Sequence, residues 1–176
     1  MGNVIQLTHE IFTDEQAVAS AIDLLKKRSG DEVAVLFPSA HVESLFSALA
    51  GLSTWIEARS YEPGEGKRKA AQWAVERGAP AVEQWSLVEG LYTADPALLP
   101  AAEIIEALSY QEAQELASAG TQVLDRTALH LLEQHGIELH LRSVFAQHHP
   151  KGTVVNAVGA DKGVKAVSCI SHTALD

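Results

Sequence analysis

VIQLTHEIFTDEQAVASAIDLLKKRSGDEVAVLFP, residues 4–38, decides the fold class. Val4 to Leu7 is a short apolar-rich segment of strand character. Thr13-Asp14 then offers an N-cap, and across Glu15 to Arg28 the residues Ala17, Val18, Ala21, Ile22, Leu24 and Leu25 fall on one helical face. Gly30 closes that helix. Glu32 to Phe37 reads as a strand buried on both faces, as parallel sheets require. Pro38-Ser39 breaks the strand and caps a second helix over Val42 to Leu52. The order β-α-β-α is the signature of a layered α/β domain.

The pattern continues outward. Trp55 to Tyr61 is the next strand, and Glu62-Pro63-Gly64-Glu65-Gly66 is a turn-rich loop. Lys67 to Arg77 reads as a helix closed by Gly78, and Ala81 to Trp85 as a strand. Glu89 to Ala102, which holds Pro96 and Pro100, is expected to be an ordered surface loop. Ser109 to Ala119 is a helix opened by a capping box, Ser109 with Glu112. A further helix runs from about Leu124 to His135 with Gly136 behind it. Strands follow at Ile137 to Leu141, Thr153 to Val155 and Val164 to Ser168, with a turn over Gly159 to Gly163.

The 176 residues suit one compact α/β domain. A formal net charge of −10 argues against general binding to nucleic acid or to anionic membranes, because phosphate-rich surfaces select clustered Lys and Arg. It leaves room for a nucleotide, which needs only a local site. The single cysteine, Cys169, builds neither a disulfide framework nor a cysteine-rich zinc site, so a cytoplasmic location is expected. No signal peptide and no bilayer-length apolar run are read. Of the eight histidines, His140, His148 and His149 come nearest to a metal pattern, but no carboxylate or cysteine completes a ligand spacing, so surface or packing roles are expected.

Three ordered blocks resemble the aspartokinases. Gln84 to Pro96, QWSLVEGLYTADP, resembles that family's W-T-D-V-x-G-[VI]-Y-T-[AT]-D-P segment, with Trp85, Val88, Gly90, Tyr92, Thr93, Asp95 and Pro96 matching. Ile105 to Gly120, IEALSYQEAQELASAG, resembles its L-S-Y-x-E-A-x-E-L-A-x-x-G helix. Ile137 to Val155 resembles its I-P-[IL]-x-[VL]-x-[NS]-[TV]-F ending with a later G-T. Three blocks in order at compatible spacing are a specific signal. The resemblance implies a three-layer α/β/α sandwich of the amino-acid-kinase type with a mostly parallel sheet. Leu49 is followed within a few residues by the turn-rich loop that falls where the family has G-R-G-G-S-D, so the substrate-side region is expected to be reduced. Residues 1–163 form the expected kinase-like domain. Residues 164–176 resemble the entry to the family's regulatory ACT region.

The departures from the family pattern bear on chemistry. Forming an acyl phosphate requires neutralising the transferring phosphoryl group and positioning a carboxylate nucleophile. The resemblance implies a lysine in an early K-F-G-G-T-S loop, but Gln6-Leu7-Thr8-His9-Glu10-Ile11 stands there, with no lysine, no glycine and an added negative charge. Pro63 and Lys67 stand where G-R-G-G-S-D has its arginine and aspartate. Gln122 replaces the lysine of the family's F-G-A-K-V-L-H stretch.

The expected function is therefore that of a degenerate aspartokinase-like domain, without kinase turnover, acting as a binding, regulatory or assembly module. The alternative is an ATP-dependent phosphotransferase with a rebuilt site, which Lys67, Lys151 or Lys162 converging on the Gly120 and Tyr92 loops would favour. No catalytic residue and no metal ligand is assigned. The nucleotide-binding candidates are Ser86, Glu89, Tyr92, Asp95 and Gly120, taking ATP with magnesium weakly. Against that stands a structural role, in which Tyr92 packs and Asp95 holds a turn before Pro96. Lys67-Arg68-Lys69 reads either as an anion site at a helix start or as a solvated face. Leu45, Phe46, Trp55 and Ile56 are expected at a homodimer or partner interface, because the helix over Val42 to Leu52 is apolar on more than one face.

Overall fold

Every residue of Val33–Pro38 is buried, as are those of Val4–Leu7 and Ala81–Ser86. Strands covered on both faces read this way, and these three form the middle of the sheet. The computed structural model describes residues 2–28, 31–50, 56–145 and 150–159. Strand β1 (Val4–Leu7) leads through a 3-10 turn at His9–Thr13 into α1 (Glu15–Lys26). Asp14 caps α1, its carboxylate accepting from the backbone N–H of Gln16 at 2.8 Å and Ala17 at 3.3 Å. After β2 (Val33–Pro38) come a second 3-10 turn, α2 (Val42–Leu49), β3 (Ile56–Tyr61), α3 (Gly66–Arg77) and β4 (Ala81–Ser86). The chain then runs through β5 (Ala107–Ser109), α4 (Tyr110–Ser118), α5 (Arg126–Gln134), β6 (Glu138–Ser143) and β7 (Thr153–Asn156).

Among the described residues seven strands lie in the order β3-β2-β1-β4-β6-β7-β5. Every neighbouring pair is parallel except β6 and β7. Helices α1 and α2 cover one face, where Ile5, Leu7, Val35, Phe37 and Trp85 pack with Ala17, Ala21, Leu25, Leu45 and Leu49. Helices α3, α4 and α5 cover the other, over Val4, Leu36, Val82, Leu108, Leu139 and Val155. This is the expected three-layer α/β/α sandwich with a mostly parallel sheet. Burying one Leu such as Leu129 or Leu132, each almost without exposure, contributes about 1.5–3 kcal/mol.

The expected capping box is formed: Ser109 Oγ accepts from Glu112 N–H at 3.2 Å, and Glu112 accepts from Ser109 N–H at 2.8 Å. Gly78 and Gly136 follow α3 and α5 with φ of 62° and 63°. Two features differ from the sequence reading. Ala107–Ser109 pairs with β7 as a short strand, where the sequence reading has no strand and begins the helix at Ser109. Strand β7 reverses direction, running antiparallel to β6. Gly152 makes that reversal possible: its φ is 61°, and a Cβ there would lie 1.8 Å from the Leu141 carbonyl oxygen.

One expected interface residue is corrected. Leu45 is 3% exposed and belongs to the core under α2, so it offers no surface to a partner, whereas Phe46 is 56% exposed. The helix has one buried apolar side, not two. Gly30, Leu52, Trp55, His148, His149, residues 160–163 of the expected turn, Lys162, Val164 to Ser168 and Cys169 lie outside the described residues.

Candidate functional site

The carboxyl ends of β1, β2, β3, β4 and β6 open on one edge, the place where open parallel sheets hold ligands. Gln6 at the end of β1 is 4% exposed. Tyr61 closes β3 and donates its hydroxyl to the Leu7 carbonyl at 2.7 Å. Burial, opposed by the Gln6 side chain and helped by the Glu10 carboxylate, pushes the Tyr61 phenol well above its usual range. Helix α3 begins directly against this pair. A Cβ at Gly66 would stand 2.5 Å from Gln6 Nε2 and 2.8 Å from the Tyr61 ring, so only glycine lets the helix start there.

Lys67, one residue on, donates to the backbone carbonyl of Gln122. Its amine is pushed below the ordinary lysine value by burial, with the Asp125 and Glu10 carboxylates acting in the opposite direction. Arg68 Nε reaches Asp125 at 3.1 Å, Asp125 also caps α5 by accepting from Ala128 N–H at 2.8 Å, and Gln84 Nε2 donates to the Val123 carbonyl at 3.1 Å. Three side chains therefore pin the 120–125 segment over the ends of β1 and β4. The cavity left between Gln6, Lys67, Gln84 and Asp125 has a volume of about 10 Å³, room for about one water. Lys69 pairs with Glu65 at 3.4 Å. The Lys67-Arg68-Lys69 run thus makes three different contacts, while the Arg68 and Lys69 side chains stay 58% and 44% exposed, as on a solvated face.

The Ser86–Asp95 stretch is held both by bonds of its own and by bonds to neighbouring segments. Ser86 Oγ accepts from Val88 N–H at 3.1 Å. The Tyr92 hydroxyl donates to Glu89 at 2.9 Å, and burial together with that carboxylate pushes the phenol up to about 12. Asp95 is 6% exposed, and its carboxylate accepts from Ala97 N–H at 2.9 Å. Its carbonyl accepts from Leu98 and Leu99. Thr153 ties the loop to the sheet, accepting from Leu91 N–H at 2.9 Å and donating to the Ile105 carbonyl at 2.7 Å. Gly120 follows α4 with φ 101°, with open space where a Cβ would be.

Of the expected nucleotide contacts, Ser86, Glu89, Tyr92 and Asp95 thus lie on one loop, and Gly120 on the segment that Lys67 pins. Asp95 holds a turn through the Ala97, Leu98 and Leu99 N–H groups. Lys151 is exposed. His140 lies 2.8 Å from Glu138 and 3.5 Å from Arg142. Among the described residues no group of three or more His, Cys, Asp or Glu side chains could hold a metal ion, and no helix is long and apolar enough to cross a membrane.

Lys67 reaches the Gly120 segment, the convergence that the phosphotransferase alternative named, while Lys151 is exposed. One feature was missed. Glu83 is 1% exposed on β4 and is paired with Arg28 and Arg142. Its signal was present, because a carboxylate inside a strand buried on both faces demands a cationic partner.

The layer order, the mostly parallel sheet and the loop-lined carboxyl edge are those of an amino acid kinase fold, and the model of the amino acid kinase family matches residues 59–143. The chain is similar in sequence to aspartokinases and to uridylate kinases. It is 35% identical over 107 residues to the aspartokinase of Thermus thermophilus, an alignment covering 60% of this chain and 26% of that protein. It is 33% identical over 113 residues to the uridylate kinase of Frankia alni, covering 59% and 43% of the two chains. The chain thus spans about a quarter of the length of the aspartokinase it matches. In fold it agrees with the aspartate kinase of Synechocystis at a TM-score of 0.74 and 16% identity, over 92% of this chain and 40% of that one.

Proposed function

We propose that this chain is a degenerate aspartokinase-like domain that acts as a binding, regulatory or assembly module without kinase turnover. The observation that carries this reading is the state of Lys67. Among the described residues Lys67 reaches the Gly120 segment, where the Gln122 carbonyl engages it, and the cavity beside it, about 10 Å³, leaves room for about one water. Gln6 fills the strand end where the resemblance implies a lysine. Phosphoryl transfer depends on cations placed at the transferring oxygens, and here Glu10 and Asp125 accompany the amine instead. The test is aspartyl-hydroxamate formation from ATP and aspartate, expected at the buffer level. A rate that scales with protein concentration overturns the reading.

Ser86, Glu89, Tyr92, Asp95 and Gly120 are the proposed nucleotide contacts, taking ATP with magnesium at about millimolar affinity, on the order of −4 to −5 kcal/mol. Absence of calorimetric heat at millimolar ATP, with or without magnesium, retires that part. One observation favours the catalytic alternative: Lys67 does reach the Gly120 segment and could be released toward a phosphate. Under that alternative Lys67→Met abolishes a measurable turnover, whereas under the main reading there is none to lose.

For assembly, Phe46 and Ile56 remain the proposed contact, with Trp55 beside them in the sequence. The Phe46 ring, exposed on α2, meets Phe37 edge-on at 6.1 Å between centroids, so an apolar surface is continuous with the core. Light scattering is expected to give a two-fold dimer that Phe46→Glu converts to a folded monomer. A wild-type monomer at tens of micromolar, on the order of ordinary dimer affinities, removes the homodimer.

A further inference from the structure

Glu83 sits in β4 on the sheet face covered by α1, 1% exposed. Arg28 Nη2 bonds both of its oxygens, at 2.6 and 2.8 Å, and Arg142 Nη1 lies 3.2 Å away. Two guanidinium groups thus meet one carboxylate, leaving one positive charge, and the neighbouring Lys27 adds a second. Beside this cluster a cavity of about 440 Å³ opens between α1 and the end of β6. Leu24, Trp85 and Phe145 line its apolar side, and Lys27, Arg28 and Arg142 its cationic side. That volume lies in the range of small-molecule sites, and so does the combination of an apolar wall with a few convergent polar groups.

The donors in the wall are not all satisfied. Trp85 is 3% exposed, and neither its indole N–H nor Arg142 Nε–H has an acceptor among the described residues. Trp85 and Arg142 are register partners on β4 and β6. Buried donors without acceptors are uncommon in native proteins. The nearby hydroxyls are already used: Ser20 donates to the Val144 carbonyl at 2.5 Å and Ser143 to the Leu87 carbonyl at 3.3 Å. Recognition therefore falls to the cations, and a planar guanidinium suits a carboxylate.

We propose that this cavity binds a small carboxylate carried on an apolar, preferably aromatic, body. The carboxylate faces Arg142 and Lys27, and the apolar body packs on Leu24, Trp85 and Phe145. The site is separate from the Lys67–Gln122 contact, which lies on the opposite face of the sheet with α3 and α5, and it stands whether or not the domain binds a nucleotide.

The probe is phenylacetate, titrated into the full chain by calorimetry and followed by tryptophan fluorescence, with benzyl alcohol and inorganic phosphate as comparisons. Saturable binding of phenylacetate is expected, weakened at least about tenfold by Lys27→Glu and by Leu24→Trp, which fills the cavity, and unchanged by Lys67→Met. Lys27 is exposed, so its variant keeps the test valid should Leu24→Trp fail to fold. The proposal is overturned by an absence of saturable binding, by equal affinity for benzyl alcohol or for phosphate, or by binding that Lys27→Glu leaves intact.

Discussion

Thr153→Val should destabilise the protein far more than the loss of one surface hydroxyl would. Thr153 is fully buried, and its hydroxyl serves two backbone groups, accepting from Leu91 N–H and donating to the Ile105 carbonyl. Valine preserves the shape and removes both bonds. A buried polar group left unsatisfied costs about 1–3 kcal/mol. The bond from Ile105 N–H to the Leu91 carbonyl, at 2.7 Å, still tethers the loop and allows some relaxation. The expected loss is therefore about 2–4 kcal/mol. For a domain of this size that lowers Tm by roughly 5–15 °C. Urea unfolding should give a lower midpoint with an unchanged slope. Hydrogen exchange should show the Leu91 amide losing protection while the Leu139 amide keeps its own. Thr153→Ser, which keeps the hydroxyl, should cost only about 1 kcal/mol. A Thr153→Val loss below about 0.5 kcal/mol, within the range of neutral surface changes, would refute the tie between this hydroxyl and the loop.

Arg28→Met should cost about 3 kcal/mol, because Glu83 is then left with Arg142 alone, and adding Glu83→Met should restore most of it; urea midpoints of the two variants decide. Tyr92 carries a phenol raised from 10.0 to about 12, so the native state favours its protonated form. That contribution is complete below the ordinary phenol value and is lost as pH rises through about 12, and Tyr92→Phe should flatten this part of the stability curve measured by urea midpoints. Gly66→Ala, which drives a methyl into Gln6 and Tyr61, should cost about 1–3 kcal/mol by thermal unfolding.

The strands and helices were readable where apolar spacing was strong, as along Val4 to Phe37, and where chemistry marked an end, as at Ser109 with Glu112. The loop role of Asp95 was readable too, because an aspartate just before Pro96 invites a turn. What stayed open or escaped depends on contacts between distant segments. Lys67 meeting Gln122 is a tertiary event, and no local pattern distinguishes it from a solvated cation. Leu45 and Phe46 look alike in composition, and only the helix's seating on Phe37 buries one and exposes the other. The short strand at Ala107–Ser109 exists because β7 lies beside it, so its identity is not contained in its own three residues.

That last dependence reaches into how the chain is made. Strand β7 sits between β6 and β5, yet it is synthesised after both. A nascent chain that has emerged as far as Ser143 already holds all five parallel strands of the β3-β2-β1-β4-β6 block. Its Ala107–Ser109 segment has no neighbour to pair with, and the Leu91 N–H and Ile105 carbonyl still lack Thr153. The loop that carries Tyr92 and Asp95 is therefore locked only when the last described strand inserts. Domains fold progressively from the N-terminus during synthesis, and the loop at the carboxyl edge of this one is tied only by the last of its described strands.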